Sequence, residues 1–165
     1  MTLPPRPYTH IWKPLEISFY DSTTGKNKAK QPDITLDHGR LFLNNAGCDA
    51  LSKLIETDGE LLPVFFEGQS GAIFNTLKCA EDLNALDTKR STKNDWGDLQ
   101  SLVFVEENLN VVVLFRCKFD GFTGLFCNDA FKLAVEQANL KGITFSVDLG
   151  NIFLPDTSAQ EPLKQ

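Results

Sequence analysis

Four cysteines and two histidines are the residues of this 165-residue chain with the strongest intrinsic chemistry. Cys48, Cys79, Cys117 and Cys127 lie 31, 38 and 10 positions apart, so no C-x-x-C or zinc-ribbon spacing occurs. Neither His10 nor His38 sits beside a cysteine in sequence. The pattern predicts four reduced thiols used as small apolar residues, with no metal and no cofactor. A Cys–His pair assembled by the fold would instead make a small cysteine-dependent enzyme. The acidic pairs Glu81-Asp82 and Glu106-Glu107 are sequence neighbours. Neighbours point in different directions on a helix or strand, which suits solvated charges better than two-carboxylate catalysis. The patterns G-x-x-x-x-G-K-[ST], G-x-G-x-x-G, G-x-S-x-G and H-E-x-x-H are all absent. The sequence therefore predicts no catalytic residues.

One cluster suits binding rather than catalysis. Asp95-Trp96-Gly97-Asp98 sets a tryptophan between two acids in a polar stretch. Tryptophan is frequent among interface hot spots, and flanking acids suit a basic partner. The other reading has Trp96 tucked into the core, pinning its loop. Asp95, Trp96 and Asp98, with Glu106 and Glu107 as rim charges, form the candidate docking site. The wider charge pattern agrees: residues 41–110 hold five basic and twelve acidic residues, out of a whole-chain net charge of −6. An acidic surface repels phosphate backbones and disfavours nucleic acid, while it speeds encounter with a basic protein. Ordinary solubility would account for the same acidity.

The elements that must carry this cluster read as one α+β domain over residues 1–155. The expectation is an antiparallel-dominated sheet of six or more strands with two main helices packed on one side. No apolar run reaches the about 20 residues that cross a bilayer, and the start Met1–Pro7 lacks the pattern of a secretory signal. A cytoplasmic protein is expected, with no membrane partner. Residues 1–14 contain four prolines and should run extended. A strand follows over 15–20, then a polar loop over 21–33. Arg40–Leu43 leads into a helix over Cys48–Asp58, stopped by Gly59. Strands are expected at 61–67 and 71–78, joined by a turn at Gly68–Gly71, and residues 79–98 should be irregular. A strand at 99–106 and a turn at 108–110 come next. Val111–Phe115 is an apolar, largely β-branched run and predicts a central strand buried on both faces. Asp120-Gly121 is a turn signal. Asn128 should cap a second helix ending at Asn139. Ile143–Val147 alternates as a last strand, and residues 156–165 should fray. The predicted core contains Leu51, Leu54, Ile55, Val112, Leu114, Phe131, Val135 and Phe145.

Leu41-Phe42-x-Asn44-x-Ala46 is echoed 84 positions later by Leu125-Phe126-x-Asn128-x-Ala130. Each copy precedes an apolar-faced helix, a glycine and an apolar strand. The echo is either chance or two helices packed on one sheet in related ways.

Several of these residues recur in a known order. Leu41-Phe42 and a helix precede Gly59-Glu60-Leu61-Leu62-Pro63-Val64. Phe74-Asn75, Leu86-Asp87-x-x-x-Ser91 and Leu114-Phe115-Arg116 follow. Leu125–Phe131, a helix and Leu140-x-Gly142-x-x-Phe145 close the series. The order resembles the bacterial immunity-protein family of polymorphic toxin systems, over roughly residues 40–147. The resemblance implies a protein that binds and blocks a cognate toxin made by the same cell, and it supplies no catalytic residues. The proline-rich start and the lysine loop have no counterpart in that pattern. The readings from other classes are the small enzyme and a structural, self-associating protein.

Overall fold

The computed structural model describes residues 3–20, 31–147 and 149. Most of the expected 21–33 loop and the expected frayed tail lie outside the described residues. Two tight turns set the register of the main sheet. His38-Gly39 joins β2 (Ile34–Asp37) to β3 (Arg40–Asn44), and Glu67-Gly68 joins β4 (Gly59–Phe66) to β5 (Gln69–Thr76). All four turn residues have positive φ, between 45° and 76°. This two-residue turn matches the natural twist of paired strands. Phe66 therefore opposes Gln69, and the turn Phe66–Gln69 falls two residues earlier than Gly68–Gly71. Parallel pairing of β1 (Leu15–Glu16) to β4 completes a five-stranded sheet, ordered β1-β4-β5-β3-β2 and otherwise antiparallel. The expected six or more strands are not in one sheet, because β6 (Thr92–Lys93) pairs with β7 (Leu99–Ser101) and β8 (Leu114–Phe115) with β9 (Phe126–Cys127) in two separate ribbons.

The period-2 pattern of the strands gives the main sheet two apolar faces. Leu41, Leu43 and Phe74 point to a core that also takes Leu51 and Ile55 of α1 (Asn45–Ile55) and Phe131 and Val135 of α2 (Asp129–Gln137). Both helices thus pack on one side, as expected. Phe42, Val64 and Phe66 face the other way, against Trp12, Ile17 and Phe19 of the N-terminal segment. That segment is held by side chains more than by strand pairing. Only Leu15–Glu16 of the expected strand forms. Glu60 accepts from the amides of Tyr8 and Thr9 and from the Thr9 hydroxyl, and the Trp12 indole donates to Pro63 O at 2.8 Å.

The echo between the two helices is structural. Asn44 Oδ1 accepts from the Gly47 amide at 2.9 Å, and Asn128 Oδ1 accepts from the Phe131 amide at 3.1 Å. Each caps its helix in the same way. The Asn44 and Asn128 amides in turn donate to Asp33 O and Val113 O on neighbouring segments. α2 ends with Asn139 left-handed (φ 53°). The Asn139 and Leu140 amides bond back to Glu136 O and Val135 O, the double bond of a Schellman end, with Leu140 buried beneath it. α1 ends differently. It stops at Ile55 with a right-handed cap at Glu56, and Gly59 is the first residue of β4 rather than the stop. A Cβ on Gly59 would meet Asn75 O at 2.2 Å, so the position needs glycine for space.

A second core forms from Leu102, Phe104, Val112, Phe115 and Phe126, with edge-to-face rings 5.0 Å apart from Phe104 to Phe115 and from Phe104 to Phe126. The run Val111–Phe115 lies between the two cores and is not the centre of the main sheet. Val112 and Phe115 belong to the second core, Leu114 to the first, and Val111 is 79% exposed. The run is apolar because it serves two clusters. The expected strands at 99–106 and 143–147 are also corrected. Beyond Ser101 the pairing is reduced to an isolated antiparallel bridge between Leu86 and Phe104 and a bond from Val103 N to the Ser91 hydroxyl. Ile143–Val147 forms no strand, and Phe145 packs edge-on against Phe131 at 6.2 Å. Of the predicted core, Leu54 and Phe145 are only partly buried.

Buried charges fasten the 77–125 region to the main sheet. Asp58 is 1% exposed, and its Oδ2 accepts from the Val113 and Leu114 amides at 2.8 and 2.9 Å. Its own carbonyl accepts from the Leu77 and Lys78 amides. Arg116, also 1% exposed, donates from Nη2 to Phe122 O at 2.6 Å and to His38 O at 3.4 Å. Its guanidinium lies where a Cβ on Gly39 would sit, 2.5 Å from Nε. Glu81 accepts from the Lys118 and Phe119 amides and from the Cys79 and Cys117 thiols. Burial alone would raise the Glu81 pKa, but these donors outweigh it and hold the carboxyl below its ordinary value.

Asp58→Ala should lower the unfolding free energy by about 3 kcal/mol, because two buried amides lose a charged acceptor; urea denaturation reads this directly. Glu81 contributes stability that is complete above its ordinary pKa, about 4.5, and is lost as pH falls through the lowered folded value. Glu81→Gln should therefore flatten the decline of stability below about pH 4.5, measured by urea titrations from neutral to acid pH. An unchanged acid limb would show that Glu81 does not carry this dependence.

Candidate functional site

The polar excursion after Cys79 is built from short-range side-chain bonds. Asp87 Oδ1 accepts from the Lys89 and Arg90 amides, each at 3.0 Å, and Oδ2 from Arg90 Nε at 2.7 Å. Ser91 is buried; its hydroxyl donates to Val103 O and accepts from Val103 N. The Leu86-Asp87-x-x-x-Ser91 motif is thus a turn whose last side chain replaces a rung of backbone pairing. It fixes where the β6–β7 hairpin leaves the body. Lys93 Nζ sits 4.8 Å from the centroid of the Phe119 ring, a second contact between the hairpin and the body.

The hairpin tip is residues 94–98. Asn94 Oδ1 accepts from the Trp96 and Asp98 amides at 3.0 and 2.8 Å, and Asn94 N donates to Asp98 O. Gly97 takes φ 87°, which closes the turn. This network presents Trp96 outward, 89% exposed, between exposed Asp95 and Asp98. Trp96 does not pin the core. Glu106 and Glu107 lie on a separate element, the 3₁₀ helix Glu106–Leu109, and both are exposed. The five candidate residues therefore occupy two exposed elements joined by Leu99–Val105. Asp95, Trp96 and Asp98 share the hairpin tip, and the two glutamates share the 3₁₀ helix.

The sequence reading missed a cleft of about 510 Å³ beside that 3₁₀ helix, between Leu102–Val112 and Phe126–Asp129. Its apolar lining belongs to the second core, so in sequence it could be read only as core. Glu106 is the one candidate residue that lines it.

The cysteines show no sign of activation. All four are free thiols. Burial is the largest cause that raises each of them, to about 12 for Cys79 and about 11 for Cys127, with Cys48 and Cys117 also raised. Glu81 beside Cys79 and Cys117 adds to the effect. Reactive cysteines are shifted the other way. Among the described residues no cysteine hydrogen-bonds a histidine, and His38 Nδ1 lies 2.6 Å from Asp37 Oδ1. Among those residues no group of three or more His, Cys, Asp or Glu is placed to hold a metal ion. No described helix is long and apolar enough to cross a membrane.

No curated protein matches the chain. The sequence model of the immunity protein family (Imm11) matches residues 69–147, just under half of the chain. The match begins later than the residue order suggested, so the Leu41-Phe42 and Gly59–Val64 segments fall outside it. It contains the Asp87–Ser91 turn, the Trp96 hairpin, the second core and α2. Over this stretch the chain is similar to a family of bacterial immunity proteins.

Proposed function

We propose that this chain is an immunity protein of a polymorphic toxin system, which binds a cognate toxin in the cytoplasm and blocks it without catalysis. The family match over residues 69–147 carries the reading. The matched region also holds a solvent-facing tryptophan between two acids on a braced hairpin. An exposed aromatic of this size is costly on a surface with no partner and is a common interface anchor. The toxin would be basic, since residues 41–110 carry an excess of seven acids. Trp96 supplies the anchor, Asp95 and Asp98 flank it, and Glu106 and Glu107 contribute steering charge. The protonated thiols argue against cysteine catalysis.

Co-expression with the toxin encoded beside this gene should restore growth of a sensitive strain; no protection and no binding would reject the proposal. Trp96→Ala should weaken toxin binding by about 2 kcal/mol or more, as hot-spot truncations do. The same change should alter stability by less than about 0.5 kcal/mol, because the side chain is solvent-facing. Glu106→Lys should mainly lower the association rate. That loss should shrink at high salt, where exposed charges are screened within about 10 Å at 0.1 M. Surface plasmon resonance at two ionic strengths separates the rate effects.

A further inference from the structure

The cleft beside the 3₁₀ helix has a one-sided chemistry. Its apolar lining combines five buried members of the second core, Leu102, Phe104, Val112, Phe115 and Phe126, with the partly buried Leu109 and Leu149. Its charged groups are Glu106 and Asp129, both exposed. No lysine, arginine or histidine lines it among the described residues. Its volume of about 510 Å³ lies in the range of pockets that enclose small ligands, roughly 300–1,000 Å³. Glu106 and Asp129 each stand in the first turn of a helix, the 3₁₀ helix and α2, where the N-terminus offsets part of their charge.

We infer that this cleft receives an anchor from the toxin: a bulky aliphatic or aromatic side chain flanked by lysine or arginine. This inference rests on the immunity reading. An apolar side chain gains by leaving water for the aromatic lining. A neighbouring cation is drawn by Glu106 and Asp129, whereas an acidic flank would be repelled. β7 runs directly into Leu102, so the hairpin and the cleft lie on one stretch of chain. The toxin would therefore be held at two points, by Trp96 projecting outward and by the cleft accepting inward. Anchors of this kind fill desolvated pockets near the centre of an interface.

The test uses the full chain and the purified product of the adjacent toxin gene in isothermal titration. The double variant Glu106→Lys/Asp129→Lys reverses the rim. Glu16→Lys/Glu56→Lys makes the same net charge change at exposed sites outside the cleft. The rim variant should raise Kd by about 30-fold or more, which corresponds to about 2 kcal/mol, and the control by less than about 3-fold. Asn110→Arg, at an exposed residue of the cleft mouth, should also weaken binding and provides an independent arm if the double variant melts early. Equal affinities for rim, mouth and control variants would overturn the cleft assignment and leave the immunity reading standing. Failure of the unaltered chain to bind the toxin would overturn both. A dimer of this chain in sedimentation that the rim variant dissolves would assign the cleft to a second copy instead.

Discussion

The carboxylate of Asp58 is buried between two structural units and accepts from two consecutive amides, those of Val113 and Leu114. Without that acceptor, the buried Leu114 amide would lose its partner, at a penalty of about 1–3 kcal/mol, and the half-buried Val113 amide would lose its own. The same residue takes the Leu77 and Lys78 amides on its carbonyl as the chain leaves β5. One residue, through its carbonyl and its carboxylate, therefore ties the exit of the main sheet to the return of the chain at β8. Everything between, from the Glu81 bonds to the hairpin, is placed relative to that junction.

The stitching across this region comes from side chains bonding to backbone. Glu81 gathers Lys118 and Phe119, Arg116 reaches Phe122 and His38, and Ser91 completes the pairing of Val103. Such bonds hold irregular backbone in one conformation where regular ladders are lacking. A hairpin fixed in this way loses little freedom when a partner binds, which favours affinity. This region is thus irregular in secondary structure and braced in position.

Local signals were legible in the sequence. Asn128 read as a helix cap, the apolar faces of α1 and α2 read as core, and the repeat between them proved to be the same capping arrangement at Asn44 and Asn128. Signals that depend on a distant partner misled. Val111–Phe115 has the composition of a central strand, yet it bridges two cores because Asp58 takes its amides. Ile143–Val147 alternates like a strand, but Phe145 packs on Phe131. At the candidate site, the sequence set Asp95, Trp96 and Asp98 side by side in a polar stretch expected to be irregular, and the structure closes that stretch as a hairpin turn. The sequence could not show that Asn94 directs Trp96 outward, nor that part of the second core opens as a cleft.

The central claim is that the braced region after β5, and not the main sheet, meets the partner. Hydrogen–deuterium exchange of the free chain and of its complex with the adjacent gene's toxin tests this most directly. The account predicts slowed exchange at residues 94–112 and 126–129, with the amides of β2 and β3 unchanged. Protection confined to the main sheet or to residues 8–19, with 94–112 exchanging as in the free protein, would contradict it.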